Sequence, residues 1–350
     1  MTRILPSRTP EERAKAVAEA AEVLRSGNTV ALPTETVYGL AADALNRDAV
    51  ARIFEAKERP SFNPLIVHLP DRDWLERVAM IKHESSRVIE KLVGQFWPGP
   101  FTIVLPRREI VPDIVTSGLD TVAVRISAHP VFAEVIRAFG SPLAAPSANR
   151  FGRVSPTTAQ HVLDELDGRI PLIVDGGPTT HGIESTIVAV RNGRIELLRR
   201  GPITAEQVEA FGQVVCAPAP ERPDAPGQLP THYAPSTPLI LVDDPSSFAV
   251  TAGKKCGLLA WRSMAEAEQF AEVRQLSSRQ DLREAAANLF RYLRELDRLN
   301  LDLIVAEKLP DENIGAAIND RLRRASRRRF ATAERLNGGR KPPLLGLHPL

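Results

Sequence analysis

Apolar residues recur at helical spacing in some segments of the chain and in short continuous runs in others, a pattern that predicts an α/β fold. Residues 9–27 form the first helical segment: Thr9 with Glu12 three positions later is typical of a capped start, and Gly27 of an end. Its buried face is predicted from Val17, Ala20, Ala21 and Leu24. A second helix is predicted to begin after Asn46, which would cap it. Its apolar face consists of Val50, Ile53 and Phe54.

Short apolar runs elsewhere in the first 200 residues have the length of β-strands. The runs are 29–33, 64–69, 101–105, 121–126, 143–145, 171–174, 183–190 and 194–198. The last two runs flank Asn192 and Gly193, a pair typical of a tight hairpin turn. Because helices alternate with strands and a hairpin is also present, we predict an α/β domain with a mixed sheet.

The chain divides at residues 216–238, where seven of 23 residues are proline. Proline disfavours helix and sheet interiors, so we predict an extended linker there. Residues 1–215 and 239–350 are each long enough to form a domain with its own core. The second domain is predicted to hold a small parallel sheet with crossover helices. Its predicted strands are 239–242, 257–260 and 301–306, and its predicted helices are 281–299 and 312–329.

Charge and cysteine content exclude some classes of protein. The 45 Lys and Arg nearly balance the 43 Asp and Glu, so a protein that binds nucleic acid through a broad positive surface is disfavoured. Two cysteines, Cys216 and Cys256, without a CxxC spacing exclude a disulfide scaffold and a cysteine-rich zinc site. No apolar stretch approaches the roughly 18 to 20 residues of a membrane span, and we expect a cytoplasmic protein.

Polar side chains cluster where predicted strands end, which is where we expect the chemistry. The familiar motifs GxxxxGK[ST], GxGxxG, HExxH and GxSxG are all missing from the sequence. Five other segments concentrate hydroxyl, amide and cationic side chains. They are residues 33–40, 57–64, 121–125, 145–157 and 175–186.

Several of these residues have a structural explanation as well as a functional one. Residues 33–40 are compatible with an ordinary strand-to-helix turn. Lys57 ends a helix, where the helix dipole favours a cation, although with Arg59 it could also clamp an anion. His68 alternates with apolar residues, as core histidines do. Arg125 lies in an apolar strand and therefore requires a partner, either a structural carboxylate or an anionic ligand.

The two later segments favour a ligand more clearly. Ser147, Asn149 and Ser155 could cradle phosphate oxygens, whereas a helix cap accounts only for Ser155 and Thr157. The three glycines of residues 175–186 allow the backbone to approach a ligand closely. Taken together, the segments contain cations, hydroxyls, amides and few conspicuous carboxylates. This favours an anionic ligand such as a nucleoside triphosphate, and disfavours glycosidase chemistry or an all-protein metal cage.

Four motifs in order, PTETVYGL, KERPSFNPLIVH, PSANRFGRVSPT and DGGPTTHGIEST, resemble the L-threonylcarbamoyladenylate synthase family and its YrdC-like domain. The later segment APGQLPTHYAP and the α/β domain behind it resemble the long, two-domain branch of that family. The resemblance covers nearly the whole chain. It implies a YrdC-like domain with a twisted mixed sheet and flanking helices, followed by a smaller Rossmann-like α/β domain.

The resemblance also implies an activity and a set of site residues. The family condenses L-threonine, bicarbonate and ATP into L-threonylcarbamoyladenylate and pyrophosphate. Magnesium would be held mainly through ATP, with no metal site on the protein. Lys57 and Arg59 would be catalytic. ATP contacts are implied for Arg59, Asn63, Thr121, Ala145, Ser147, Asn149, Ser155, Arg199 and Tyr233. Threonine contacts are implied for Thr36, His68, Arg125 and Ser185.

In the long branch the linker closes over the nucleotide, which would bring Tyr233 and His232 to the site. The product would pass to the tRNA threonylcarbamoyl-transferase machinery and modify tRNA beside the anticodon. We expect a monomer with weak direct tRNA contact at most. Two departures from the family pattern, Glu58 and the pair Arg150-Phe151, concern loop conformation and remove no implied ligand contact.

Two alternatives remain open at this point. A carbamoyltransferase built on the same domain would need further zinc-finger or metal-binding domains, for which two cysteines and seven histidines are too few. A non-catalytic RNA-binding or ribosome-assembly module is suggested by residues 321–329, in which six of nine residues are arginine. We interpret this segment as a solvated helix face that acidic residues upstream compensate.

Overall fold

The computed structural model describes residues 1–216, 225–227, 229, 232–262 and 267–327. The strands of the first domain are β1 Arg3–Pro6, β2 Val30–Leu32, β3 Gly39–Asp43, β4 Ile66–His68, β5 Phe101–Pro106, β6 Thr121–Arg125, β7 Leu143–Ala144, β8 Leu172–Asp175, β9 Thr186–Arg191, β10 Arg194–Arg199 and β11 Val214–Cys216. Its helices are α1 Pro10–Arg25, α2 Arg47–Lys57, α3 Leu75–Val78, α4 His83–Phe96, α5 Asp113–Thr116, α6 Pro130–Phe139, α7 Ala159–Leu166 and α8 Ala205–Glu209, with a short 3-10 helix at Arg72–Trp74.

The first domain is built on one mixed sheet of 11 strands, in the order β1-β8-β2-β3-β7-β4-β6-β5-β9-β10-β11. Both pairings of β8 are parallel, whereas β3 runs antiparallel to β2 and to β7. The predicted hairpin is confirmed, because β9 and β10 pair antiparallel around Asn192 and Gly193. The predicted mixed sheet is therefore confirmed.

The start signals of the two predicted helices are also confirmed. Thr9 accepts a hydrogen bond from the backbone of Glu12, whose own side chain bonds back to the Thr9 backbone N–H. Asn46 caps α2 by accepting from two backbone N–H groups. Helix α1 packs with α6 on one face of the sheet in a core that contains Leu24 and Phe132.

Residues 33–40 differ from the strand-to-helix turn with which their sequence is compatible. The chain turns at Thr34, whose hydroxyl binds the backbone N–H groups of Thr36 and Val37, and returns as β3. The small apolar residues of β3 fit between β2 and β7, so pairing on both sides outweighs the local signal for a turn into a helix.

The second domain contains the strands β12 Leu239–Val242, β13 Cys256–Ala260, β14 Glu272–Gln275 and β15 Leu303–Glu307, and the helices α9 Leu282–Asp297 and α10 Asn313–Ser326. Short 3-10 helices lie at Pro245–Ser247 and Ala267–Gln269. All strand pairings are parallel, in the order β12-β15-β13-β14, as predicted. Strand β14 was not predicted, because its sequence EVRQ has no apolar run. Residues 328–329 of the last predicted helix lie outside the described residues.

One hydrophobic core joins the two domains. Val37, Val154 and Ile183 of the first domain pack in the same cluster as the inner faces of α9 and α10. Backbone meets backbone at Gly182, where an added Cβ would lie 2.4 Å from the Ala286 carbonyl oxygen. The described parts of residues 216–238 lie against this junction, with Ala225, Tyr233 and Ala234 buried; the remainder of that predicted linker is outside the described residues. Within the described ranges, no helix is long and apolar enough to cross a membrane.

Candidate active site

A cavity of about 50 Å³ lies where strand ends of the first domain meet the described part of the linker segment. Residues from the β2–β3 turn, the α2–β4 loop, β4, β6, the loop after β7, the loop before β9 and the end of β10 contribute to its wall. Pro226, Gly227, His232 and Tyr233 of the linker segment also line it. Polar loops that lie up to about 150 residues apart in the sequence therefore meet at this cavity.

Arg59 and Arg199 form one end of the cavity. Arg59 donates to the carbonyl oxygens of Asn63 and Pro64 at 3.1 and 2.9 Å. Arg199 donates to the Ser185 carbonyl and hydroxyl oxygens at 3.0 Å each, and to the Pro226 carbonyl at 3.1 Å. Both side chains are buried, and within the described residues these bonds reach no carboxylate. Buried cations without a paired anion make this end suited to a negatively charged ligand.

The electrostatics agree with that reading of the geometry. Burial and the charge of Arg199 lower the pKa of the Arg59 guanidinium to about 9, and burial lowers that of Arg199 to about 10. Both groups therefore remain charged at neutral pH. The side-chain amide of Asn63, 1% exposed, has no hydrogen-bond partner on either atom within the part of the chain that the structure describes. Buried amides are normally bonded, so Asn63 is a second group that lacks a partner beside the cavity.

Gly227 lies so close to Arg199 that a side chain at this position would have little room. Its φ is +87°, and an added Cβ would lie 3.0 Å from Arg199 Cδ and 3.0 Å from the Tyr233 hydroxyl oxygen. A side chain there would push the linker segment off the arginine.

Lys57 lies behind the cavity wall. Its ammonium donates to the carbonyl oxygens of Ser147 and Asn149, and the side chain is 1% exposed. Burial and the neighbouring charge of Arg59 lower its pKa well below the usual value. The Asn149 amide donates in turn to the carbonyls of Arg150 and Arg153 at 2.8 and 2.9 Å. Lys57 and Asn149 thus hold the loop that presents Ser147 to the cavity.

Arg125 lies at the other end of the cavity and has a structural partner. It donates to Glu35 Oε1 at 2.6 Å, to Thr36 Oγ1 at 3.0 Å and to the Gly99 carbonyl at 3.1 Å. These bonds use three of its five N–H groups. Burial alone would raise the pKa of the Glu35 carboxyl. The charge of Arg125 and the hydrogen bond from Ser127 outweigh burial and lower this pKa to about 2. The partner that the sequence required is therefore a carboxylate, and two N–H groups remain for a ligand.

His68 is buried beside Arg125, and among the described residues neither ring nitrogen has a hydrogen-bond partner of good geometry. Its ring packs against Phe132, with 4.8 Å between ring centroids. Burial and the charge of Arg125 lower its pKa to about 3, so the imidazole is neutral at physiological pH. A satisfied core histidine would have at least one bonded nitrogen. Because His68 also forms part of the cavity wall, the structure favours a ligand-facing role.

Glu184 lines the cavity, and the sequence analysis did not identify it. It also did not identify Glu35, the partner of Arg125. Both lie inside the quoted motifs, PTETVYGL and DGGPTTHGIEST, so the motifs contained the signal, but we described the segments as poor in carboxylates. Glu184 Oε1 accepts from the Ser155 hydroxyl at 2.6 Å, and Oε2 accepts two N–H groups of Arg321 at 3.2 Å. Ser155 itself is fully buried behind Glu184.

Thr121 lies away from the cavity. It begins strand β6, opposite Pro106, whereas Arg125 ends the same strand. Four residues of β-strand separate the two by roughly 13 Å. Thr121 instead faces a separate surface depression with Lys82.

The structure therefore divides the predicted site residues into three groups. Those that reach the cavity wall are Thr36, Arg59, His68, Arg125, Ala145, Ser147, Ser185, Arg199 and Tyr233. Those that support the wall from behind are Lys57, Asn63, Asn149 and Ser155. Thr121 alone among them lies elsewhere.

The arginine-rich segment was only partly interpreted correctly. Arg323 and Arg324 pair with acidic residues near the surface, Asp311 and Asp320, as a compensated face requires. Arg321, however, is completely buried and points into the first domain. The interpretation as a solvated face is wrong for this residue, because α10 turns one side toward the domain junction. The segment therefore offers fewer exposed cations than its composition suggests.

Fold and cavity together define a two-domain α/β protein with an arginine-lined cavity that is suited to an anionic ligand. A family model described as "Telomere recombination" matches residues 22–201, and one described as "Threonylcarbamoyl-AMP synthase, C-terminal domain" matches residues 203–327. The chain belongs to the threonylcarbamoyl-AMP synthase family.

Similar proteins support this assignment over nearly the full length. A threonylcarbamoyl-AMP synthase from Bacillus subtilis is 42% identical over 323 residues, covering 89% of this chain and 92% of the relative. One from Pyrococcus abyssi is 41% identical over 324 residues, covering 88% and 93%. The solved structure of P. abyssi Sua5 complexed with L-threonine has a TM-score of 0.85 and 40% identity, covering 94% of this chain and 98% of that chain.

Proposed function

We propose that this chain condenses L-threonine, bicarbonate and ATP into L-threonylcarbamoyladenylate and pyrophosphate, and is thus a nucleotidyltransferase. The observation that carries the proposal is the pair of buried arginines, Arg59 and Arg199, whose hydrogen bonds within the described residues reach no carboxylate. A polyphosphate is the natural counter-ion for such a pair. The family membership of the chain supports the same activity.

The reaction proceeds in two bond-forming steps. The threonine amine attacks the carbon of bicarbonate, the bond from that carbon to the hydroxyl breaks, and the hydroxyl leaves as water with a proton from the amine. With carbon dioxide as the reactant, the amine proton passes to solvent instead. Either route leaves a carbamate on the threonine nitrogen. A carbamate oxygen then attacks the α-phosphorus of ATP. The bond from the α-phosphorus to the bridging oxygen breaks, and pyrophosphate leaves with the electron pair. Negative charge grows on the leaving phosphates, so fixed cations there lower the barrier.

Each end of the cavity has its own part in this proposal. Arg59 and Arg199 bind the phosphates, and Lys57 keeps the Ser147 loop in place beside them. At the other end, the two remaining N–H groups of Arg125 bind the threonine carboxylate, and the neutral His68 ring offers a nitrogen to threonine. We find no candidate for a covalent nucleophile in these contacts, and we assign catalysis to positioning and charge neutralisation.

Magnesium belongs to the proposal as a partner of ATP. Glu184 on the cavity wall and Glu35 behind Arg125 are each already paired with an arginine. Among the described residues, no three His, Cys, Asp or Glu side chains lie together as a metal site. This donor set fits an ion that phosphate oxygens and water hold, as Mg²⁺ prefers. The ion would neutralise phosphate charge during transfer.

We also propose that the product passes to the tRNA threonylcarbamoyl-transferase machinery. A mixed carbamic–phosphoric anhydride is reactive toward water, so a nearby acceptor is chemically required. In the proposal, that acceptor is the tRNA adenosine beside the anticodon. The chain acts in the cytoplasm as a monomer, and its own contact with tRNA is weak.

The first experiment measures pyrophosphate release from ATP and bicarbonate with Mg²⁺, with and without L-threonine. Release should depend on L-threonine, and L-serine at equal concentration should support much less. Formation of the adenylate is confirmed by mass spectrometry of the same samples. A folded sample that releases pyrophosphate equally without threonine, or releases none, would contradict the proposed activity.

A further inference from the structure

Arg321 of helix α10 crosses the domain junction and is the largest fully buried side chain of the described residues. Its Nε and Nη2 each donate to Glu184 Oε2 at 3.2 Å, and Nη1 donates to the Arg200 carbonyl at 2.6 Å. A guanidinium buried so completely must have ordered partners, because removing an arginine from water is costly. Glu184 and Arg200 lie in the first domain, and Asp320 of α10 is a more distant ion-pair partner at 3.5 Å.

Glu184 connects Arg321 to residues of the cavity. One carboxylate oxygen is held by Arg321 and the other by the Ser155 hydroxyl, and Ser185 follows directly in the chain. Glu184 itself forms part of the cavity wall. The position of this carboxylate therefore sets the position of the 184–185 backbone, whose Ser185 oxygens orient Arg199.

Tyr233 gives a second connection from the same arginine. The Arg321 guanidinium carbon lies 5.5 Å from the centre of the Tyr233 ring, and Phe290 of α9 stacks on that ring at 5.5 Å. Tyr233 is 1% exposed and covers the cavity from the linker segment. A cation over an aromatic face favours one ring position.

We propose that Arg321 is a positioning residue for the ATP-binding end of the site, acting through Glu184 and Tyr233. This inference rests on the proposed function. Without Arg321, Glu184 is a buried, unpaired carboxylate facing the position of an anionic triphosphate. It would repel the phosphates, release Ser155 and move Ser185 away from Arg199. On this view the carboxy-terminal domain completes the active site.

The test uses full-length variants and measures ATP dissociation constants by titration calorimetry, without turnover. Arg321→Lys keeps the charge but loses the planar fork, and should weaken ATP binding at least about fivefold. Arg321→Met should weaken it further, and Glu184→Gln added to Arg321→Met should recover part of the loss, because no unpaired carboxylate then remains. The KM for threonine should change less than about twofold in Arg321→Lys.

Arg298→Lys is the matched control, since Arg298 also joins the domains, through Asp164, but lies away from the cavity. It should leave ATP affinity unchanged. Wild-type ATP affinity in Arg321→Lys would overturn the proposal, as would equal affinities of Arg321→Met and its Glu184→Gln double variant. If Arg321→Met does not fold, Arg321→Lys alone decides. If the proposed function is wrong, the wild-type protein binds ATP but shows no threonine-dependent release of pyrophosphate. This result is distinguishable from a failure of the Arg321 proposal.

Discussion

At the scale of single residues, the site works by holding charges away from water with defined partners. Arg125 is paired with Glu35, whereas Arg59 and Arg199 have only carbonyl and hydroxyl partners among the described residues. The first arginine is therefore compensated before any ligand binds, and the other two are not. In the proposed function, the compensated arginine therefore receives the carboxylate of the amino acid, and the other two receive the polyphosphate.

The replacement Arg59→Ala should lower threonine-dependent pyrophosphate release by about 10² to 10³-fold, because one preorganised cation is lost where charge develops. Its melting temperature should stay within about 3 °C of wild type, since Arg59 lies among like charges and pairs with no carboxylate. Arg47→Ala, at an exposed position of helix α2, is the control. Turnover near the wild-type rate in Arg59→Ala would remove this residue from the mechanism.

At the scale of elements, the described linker segment contributes Gly227 and Tyr233 to the cavity wall. The cavity volume of about 50 Å³ is far below the roughly 300 Å³ or more of typical small-molecule sites. We therefore predict that this segment moves outward when a nucleotide binds. Burial raises the pKa of the Tyr233 hydroxyl to about 12, so the ring stays neutral and its packing does not depend on pH.

Tyr233→Ala should speed ATP dissociation by about tenfold, because the ring that covers the cavity and stacks on Phe290 is lost. The KM for threonine should change much less. Stopped-flow displacement of a fluorescent ATP analogue measures the rate. Tyr292→Ala, a half-buried tyrosine on α9 outside the cavity wall, is the control. Unchanged dissociation in Tyr233→Ala would refute the covering role.

A second element-scale prediction concerns the contact of Gly182 with helix α9. An alanine Cβ there would lie 2.4 Å from the Ala286 carbonyl oxygen and 2.5 Å from Ala287 Cα, so the helix must move. Gly182→Ala should lower the melting temperature by at least about 5 °C. Gly253→Ala has a similar positive φ of +78° but open space around the Cβ, and should cost only about 2 to 3 °C. Equal effects of the two changes would mean that the junction is not tightly packed.

At the scale of the whole molecule, the two domains and the linker segment form one packed unit around many buried ionisable groups. Five of the seven histidines have pKa values lowered chiefly by burial, with His68 at about 3 and His161 at about 4. The unfolded chain therefore binds more protons than the folded one below the ordinary histidine pKa of about 6.5. Stability must then be lost as the pH falls.

The free energy of unfolding should fall from about pH 6.5 downward, by at most about 1.4 kcal/mol per pH unit for a fully buried histidine such as His68, and by less for the partly exposed histidines. Glu35, with a pKa lowered to about 2, adds a further loss below about pH 4.5. Urea unfolding between pH 8 and pH 5 measures this slope. His68→Gln should reduce the slope of the unfolding free energy against pH by the equivalent of about one bound proton. His83→Gln, at an exposed position, is the control and should leave the slope unchanged. A stability that is flat over this range would contradict the lowered pKa values.

Much of the site could be recognised from the sequence because its residues lie in contiguous motifs at strand ends. Arg59, His68 and Arg125 were found in this way, and all three reach the cavity. Lys57 was also found, but the position of its ammonium behind the wall depends on how the loop of residues 147–149 folds around it. Motif membership indicates proximity to a site but not which side of its wall a side chain occupies.

The periodic elements, the hairpin, three of the four strands of the second sheet and the loops that carry the chemistry could be predicted from the sequence, because each depends on residues close together in the chain. How the charges pair became known from the folded structure alone. Arg125 and Glu35 are 90 residues apart, and Arg321 and Glu184 are 137 apart. An ion pair depends on distance in space and on burial, and local patterning encodes neither. The contribution of the second domain to the site therefore became visible only in the folded molecule.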